Sequence, residues 1–301
     1  MNGLLLINKP RDMTSHDVVA RVRKALNQRA VGHTGTLDPL ATGLMVMVLG
    51  EATKLSDYLT AADKAYRVKV RLGVKTDSLD RTGKVLEETP CDLPKETIER
   101  AALALQGEFE WPIPLFSAAK VDGKKLYEYG REGQDVVRPL KTMKFWDVRV
   151  LEAGQAYLEA ELSCSKGSFI RSWASEVGES LGVGGCIDAL ERTRVGHWSL
   201  SKALPLETLS AAGLGQAFIP MGQALPSLKA VTATPREMKL LSNGQIPHDL
   251  GTRLIFEQKQ AIATEKAIFV KVISGDGELL AILSAEPRQG LKIRRVFRPN
   301  P

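Results

Sequence analysis

The sequence predicts an α+β fold, with a mixed or antiparallel sheet flanked by helices and a small β-barrel at the C-terminal end. Three observations carry this. Tyr66, Val68, Val70 and Leu72 alternate with Arg67, Lys69 and Arg71, and Leu158, Ala160, Leu162 and Cys164 alternate with polar residues in the same way. That is the period of strands with one buried face, whereas a doubly wound parallel sheet would show continuous apolar strands. Amphipathic helices are interspersed with these strands. The stretch FIPMGQALPSLKA, residues 218–230, contains Pro220 and Pro226 and has little periodicity, and short strand signals follow it. The expected division is residues 1–228 and residues 229–301, the second part suiting a barrel of about 70 residues.

In chain order, Leu4–Asn8 is a short strand, and Thr14 or Ser15 caps a helix running through Leu26. Val18, Val19, Val22, Ala25 and Leu26 form one apolar face of that helix. A Gly- and Thr-rich loop, Gly32–Gly43, precedes the buried strand Leu44–Leu49 and a short helix over Glu51–Leu59. Strand Tyr66–Leu72 is followed by a turn at Asp80–Gly83 and a helix over Pro94–Leu105, with proline in its first turn. Strand Leu158–Cys164 runs through Ser165-Lys166-Gly167-Ser168 into a helix whose apolar face is Ile170, Trp173, Ala174, Val177 and Leu181. Beyond the boundary, Ser242-Asn243-Gly244 stops a short helix and Ser274–Gly277 makes a hairpin turn. There is no internal repeat and no low-complexity segment.

The 301 residues are 44% hydrophobic and 25% charged, an ordinary globular composition. No apolar stretch approaches the roughly 18 residues needed to span a bilayer, and MNGLLLINKP has too short an apolar core for a signal peptide. Cys91, Cys164 and Cys186 are far apart, odd in number and without C-x-x-C spacing, which points to a reducing cytoplasm and away from a zinc site. A cytoplasmic protein with no membrane partner is expected.

The net charge of +6 and pI near 9.2 invite a polyanionic partner. From Lys229 onward 12 Lys and Arg face 7 Asp and Glu, a net of +5, against 29 and 28 over residues 1–228. The excess ends in KIRRVFRPN, where Ile293, Val296 and Phe297 interleave with the charges. That mixing suits a strand with one buried face and one basic face, where a plain solvated tail would lack the apolar residues.

Most of the functional signal lies in GHTGTLDPLATG. One carboxylate, Asp38, stands among Gly32, Gly35, Gly43, Thr34, Thr36, Thr42 and His33. Pro39 holds Asp38 out of helical backbone, and the glycines permit close approach of chain or ligand. Aspartate in such a loop is ordinarily an Asx-turn residue, so the rest of the chain must argue otherwise. No G-x-x-x-x-G-K-[ST] occurs, Gly182-Val183-Gly184-Gly185 follows a helix rather than a strand and reads as a turn, and the four histidines show no ligand-pair spacing. What remains is carboxylate chemistry without metal or cofactor on a polyanionic substrate.

Four scattered residues are candidates to converge on Asp38. Tyr66 suits core packing, but its ring could also stack on a base. Arg171 sits about one residue off its helix's apolar stripe and suits the surface, yet an arginine there can pair a carboxylate bidentately. Lys9 is of a type usually solvated, and Leu190 of a type usually in the core.

Together with these residues, NKPRDMTSHDVV, GHTGTLDPLATG, AYRVKVRLGVKTDSLDRTG, SAAKVDGKKLYEYGREG, CSKGSFIRSWASEVGESLG and LERTRVG occur in order. The chain resembles the bacterial tRNA pseudouridine-55 synthases, the TruB type, over essentially its whole length. The resemblance implies a pseudouridine-synthase-like sheet followed by a C-terminal PUA-like RNA-binding barrel. It implies Asp38 as catalytic residue, Tyr66 as the ring beside the target base and Arg171 as the ion-pair partner of Asp38. It also implies that His33 contacts the RNA loop near the vacated position and that Lys9 and Leu190 help frame the pocket. The implied partner is the T-stem-loop of tRNA, bound by a monomer without cofactor. Three departures touch loop details: Asp12 where glycine is usual, Ile113-Pro114 in place of a double proline, and Gly130 for alanine. Aspartate tolerates left-handed backbone better than most residues, so the turn at Asp12 is expected to survive.

Converting uridine to pseudouridine breaks N1–C1′ and forms C5–C1′ with no redox change. A stacked uridine must be flipped out, at roughly a few kcal/mol, of which ring stacking returns about 1–3 kcal/mol. The sequence leaves open whether the carboxylate attacks the sugar, attacks the base or removes a sugar proton. Two other readings stand beside the enzyme: an RNA-binding or tRNA-folding protein, and a guide-RNA-dependent rRNA synthase. Intact Asp38, Tyr66 and Arg171 speak against a dead homologue, and the lack of long lysine-rich extensions speaks against the guide-dependent type.

Overall fold

A computed structural model of the chain describes residues 1–211 and 213–298; the end of the basic stretch, at positions 299 and 300, lies outside the described residues. The N-terminal elements are β1 (Gly3–Lys9), α1 (Ser15–Ala25), β2 (Val31–His33), β3 (Thr42–Leu49), α2 (Ser56–Thr60) and β4 (Lys64–Leu72). There follow β5 (Val74–Thr76), β6 (Val85–Glu88), α3 (Lys95–Ala104), β7 (Gly107–Pro112), β8 (Lys120–Val121), β9 (Lys124–Lys125) and α4 (Leu126–Glu132). The long β10 (Leu140–Gly154), β11 (Tyr157–Cys164), α5 (Ile170–Ser180) and β12 (Gly185–Val195) come next, with short β13 (Trp198–Ser199), β14 (Leu204–Pro205) and β15 (Phe218–Pro220) after them. Eleven strands make one large sheet, with the path β14-β1-β3-β12-β4-β11-β10-β7. Its neighbours are antiparallel except β3–β12 and β1–β14, so the sheet is mixed and mostly antiparallel.

Local chemistry accounts for the helix that leads to the loop. Thr14 caps α1 in a capping box with Asp17, and Val18, Val19 and Val22 bury its apolar face. The region read as one helix over Glu51–Leu59 is a 3-10 turn, Gly50–Leu55, that passes into α2. β12 was not legible in the sequence, although it joins the two halves of the sheet. Its charges and two register shifts, at Ile187/Ala189 and Arg192/Arg194, break the period-2 pattern. Residues 182–184 lie in the turn between α5 and β12, which Gly185 begins, with the Val183 and Gly184 N–H groups both donating to Gly178 O. The stretch from Phe218 is not wholly irregular, since β15 pairs with β1 and extends the large sheet.

Beyond residue 228 a separate four-stranded sheet runs β16 (Lys229–Thr232), β17 (Ile268–Ile273), β18 (Leu279–Glu286) and β19 (Gly290–Val296). Three helices, α6 (Pro235–Ser242), α7 (His248–Arg253) and α8 (Ile255–Thr264), fill the interval before β17. Leu241, Leu250, Leu254, Val270, Val272 and Leu283 form a core of their own, while Leu279, Ile282 and Phe297 join the main core. Lys271 is buried and its Nζ donates to Gly222 O (2.8 Å) and Leu225 O (3.0 Å), tying this sheet to the chain that leads into it. In β19 a register shift leaves Arg294 and Arg295 both exposed, with Ile293 and Val296 half-buried. No helix among the described residues is long and apolar enough to cross a membrane.

Candidate active site

The Asp38 loop spans β2 to β3 and is held from below by backbone contacts to buried side chains. Ser15 Oγ donates to Leu37 O (3.1 Å) and accepts from Leu37 N–H (2.9 Å), fastening the loop to the start of α1. Lys9 is fully buried, and its ammonium donates to Pro10 O (2.9 Å), Met13 O (2.6 Å) and Pro39 O (3.2 Å). The expectation of a solvated lysine fails because three carbonyls replace its water. Burial pushes Lys9 down to about 8, while the nearby Asp12 and Asp38 carboxylates oppose this. Asp12 does adopt left-handed backbone, φ +60°, and its N–H donates to the same Pro39 carbonyl at 2.8 Å.

Arg192 completes the support, and the reading of the sequence missed it. This buried guanidinium donates from Nε to Leu44 O (2.7 Å), from Nη2 to Gly35 O (3.0 Å) and from Nη1 to Thr36 O (3.3 Å). Arg192 pairs with Gly43 across the parallel β3–β12 contact. A Cβ on Gly43, φ +101°, would lie 2.4 Å from Arg192 O, so glycine is required there. The available signal was the strand period: Arg192 lies two residues after Leu190, so both point to the same buried face.

Arg171 reaches the loop from α5. Its Nε lies 3.0 Å from Asp38 Oδ2 and its Nη2 donates to Asp38 Oδ1 at 3.4 Å. Nη2 also donates to Phe116 O (2.9 Å) and Nη1 to Ser78 O (3.1 Å). The surface reading of Arg171 is overturned, since the residue is 5% exposed. Ser78 is itself held by a bonded turn in which Ser78 Oγ, Thr82 N–H and Thr82 Oγ1 all donate to Asp80 Oδ1. Loops between β7 and β8, between β5 and β6, and between β2 and β3 therefore meet at one guanidinium.

Asp38 opens onto a cavity of about 740 Å³, which Tyr66, Arg171, Leu190 and Arg192 also line. Tyr66 pairs with Arg192 and Val68 with Leu190 across β4–β12, so the pleat turns Tyr66, Leu190 and Arg192 to one face. Burial raises the Tyr66 phenol above its usual range, with the Arg192 guanidinium opposing. Lys64, Lys141 and Lys166 add positive charge to the lining.

Two of the residues singled out from sequence lie outside that lining. Lys9 sits beneath the loop, as described. His33 ends β2, half-buried, with Nδ1 accepting from Gly35 N–H at 3.3 Å, so its neutral ring carries the proton on Nε2. The histidines scattered in sequence include one spatial pair, His16 and His33, with ring centroids 6.0 Å apart. Burial lowers the His33 pKa, and His16 and Arg192 lower it further.

The description "TruB family pseudouridylate synthase (N terminal domain)" matches residues 23–170. A tRNA pseudouridine synthase B of Bdellovibrio bacteriovorus is 46% identical over 99% of this chain and 97% of its own length. A protein of the same description from Ralstonia pickettii is 40% identical over 81% of this chain and 79% of its own. A solved chain from a Cbf5-Nop10-Gar1 complex superposes with a TM-score of 0.72 at 23% identity, over 99% of this chain and 85% of that one. At that identity the likeness establishes the fold alone.

Proposed function

Because the chain belongs to the TruB family of pseudouridylate synthases, we propose that it isomerises uridine to pseudouridine at position 55, in the T-loop of tRNA. In this reading Asp38 is the catalytic residue, and no cofactor takes part. The observation that supports it most is the Asp38 carboxylate, held by two nitrogens of Arg171 and open to a cavity that Tyr66 also lines. N1–C1′ breaks, the base turns, C5–C1′ forms, and the proton lost from C5 is balanced by one gained at N1. Attack on the sugar, attack on the base and removal of a sugar proton all use an ionised carboxylate held beside the ribose and base.

The target uridine flips out of the T-loop into the cavity. Tyr66 stacks on it, returning about 1–3 kcal/mol of the unstacking cost. Leu190 packs against the flipped base, Lys9 keeps the loop in place from beneath, and His33 meets the RNA where the base has left. Residues 229–301 act as an RNA-binding domain beside the catalytic residues 1–228, with Lys292, Arg294 and Arg295 presenting positive charge along β19.

The test is whether purified protein, with no guide RNA and no nucleotide, forms pseudouridine in an unmodified T-arm hairpin. Formation is expected with the wild type. Asp38→Asn is expected to abolish it while retaining the fold and most RNA affinity, since phosphate contacts supply binding. No product from the wild type would overturn the substrate reading, and product from Asp38→Asn would remove Asp38 as catalytic residue.

A further inference from the structure

The buried polar side chains that line the cavity are Thr34, Lys64, Ser117, Arg171 and Arg192. Four have hydrogen-bond partners within the protein. Thr34 Oγ1 donates to Val46 O (3.4 Å) and Lys64 Nζ to the carbonyls of Thr60 (3.0 Å) and Ala62 (2.6 Å). Arg171 and Arg192 are held as described above. Ser117 differs from all of them. It is 6% exposed, and among the described residues its Oγ has no hydrogen-bond partner.

The residue is otherwise firmly placed. Ser117 N–H donates to Leu115 O (3.0 Å), and Ser117 O accepts from Tyr127 N–H (3.1 Å). The preceding carbonyl, Phe116 O, shares Arg171 Nη2 with Asp38 Oδ1. Ser117 is thus one peptide unit from the guanidinium that holds the carboxylate. A buried hydroxyl left unpaired is costly, and such exceptions need a reason. Uracil poses the complementary problem, because two carbonyls and one N–H leave water when the base enters an enclosed site. A serine hydroxyl donates or accepts, so it can satisfy either kind of group.

We propose that Ser117 Oγ, an unpaired buried hydroxyl on a residue of the cavity lining, turns about its Cα–Cβ bond to hydrogen-bond the polar edge of the flipped uracil and is a base-recognition residue of this enzyme. This rests on the reading of the cavity as the uridine site. Ser117→Ala lowers the second-order rate of pseudouridine formation on a T-arm hairpin about tenfold, the scale of removing one hydrogen bond from a buried site. It leaves the thermal midpoint of the free protein unchanged or higher, because the deleted hydroxyl has no partner there. Ser117→Cys fills nearly the same volume with a weak donor and remains impaired.

The experiment measures that rate for the three proteins. It also measures their affinities for the uridine hairpin and for one whose target nucleotide is abasic. The expected result is an affinity loss on the uridine hairpin that disappears on the abasic one. An active wild type with a Ser117→Ala rate within twofold of it would overturn the role of Ser117 alone. So would equal losses on both hairpins, a lowered thermal midpoint or full recovery in Ser117→Cys, each of which marks a structural role. A wild type that makes no pseudouridine would instead overturn the substrate reading, and this proposal with it.

Discussion

Arg171 grips Asp38 with two nitrogens, Nε 3.0 Å from Oδ2 and Nη2 3.4 Å from Oδ1, across 133 positions of sequence. The pair is unequal in exposure: the arginine side chain is 6% exposed and that of the aspartate 34%. The cation is therefore fixed inside the protein while the carboxylate faces the cavity. Arg171→Lys keeps the charge and loses this direction, because an ammonium is a point charge on a flexible stem and cannot also reach the Ser78 and Phe116 carbonyls. We expect a fall in chemical rate of roughly a hundredfold with RNA affinity little changed. A single-turnover rate at saturating enzyme, with a matched affinity measurement, checks this; a near-wild-type rate would dissolve the positioning role.

Arg192→Met should be costly to stability. It strips donors from three backbone carbonyls beneath the loop, those of Leu44, Gly35 and Thr36. Unpaired buried acceptors put the loss on the order of 3 kcal/mol, and the loop should lose its geometry with it. The denaturant midpoint should fall at unchanged slope, and pseudouridine formation should fall beyond what the remaining folded fraction explains. An unaltered midpoint would mean that Lys9 and Ser15 suffice to hold the loop.

His33 should make stability depend on acid. Burial, His16 and Arg192 hold its pKa below the usual 6.5. The unfolded chain therefore binds the proton first, and stability present above pH 6.5 is lost as pH falls through the lower folded value. His33→Gln should remove that part of the loss below pH 6.5, read from denaturant midpoints. Equal acid sensitivity in the variant would assign the effect to other groups.

Lys292→Glu with Arg295→Glu should weaken tRNA binding and flatten its salt dependence. Both residues are exposed on β19, and each phosphate left without its cation takes about one unit off the slope of log affinity against log salt. The rate for bound substrate should change little. If the slope stayed as steep as in the wild type, this strand would not be the RNA-binding face.

The regular elements nearest the loop were legible because their signals are local. Thr14 with Asp17 marks the start of α1, period-2 alternation marks β4 and β11, and Pro39 after Asp38 excludes helix. Strands β10 and β12 escaped because register shifts interrupt their alternation. The helix α7 escaped because it is only six residues long, and α8 because its Ile255, Phe256 and Ile262 are exposed while Glu257 and Ala261 are its buried residues, so no apolar stripe marks its inner face. The pairing of Arg171 with Asp38 came from the family resemblance, because helix position alone suits the surface and cannot say that three loops converge on that side chain.

What the sequence by itself determined is the class of fold, the family resemblance carried by its motifs, and the open backbone of a carboxylate in a glycine-rich loop. All of these follow from neighbours within a few positions of one another. Only the tertiary structure decided which charges are buried, and on what. Lys9, Arg171 and Arg192 are ordinary surface residue types, and each is buried because carbonyls or a carboxylate distant in sequence replace its water. The same holds in reverse for Ser117, whose hydroxyl is notable only because folding takes it from water and gives it no partner. Desolvation is set by the packing of remote segments, and so it is written in the fold and in no stretch of the chain.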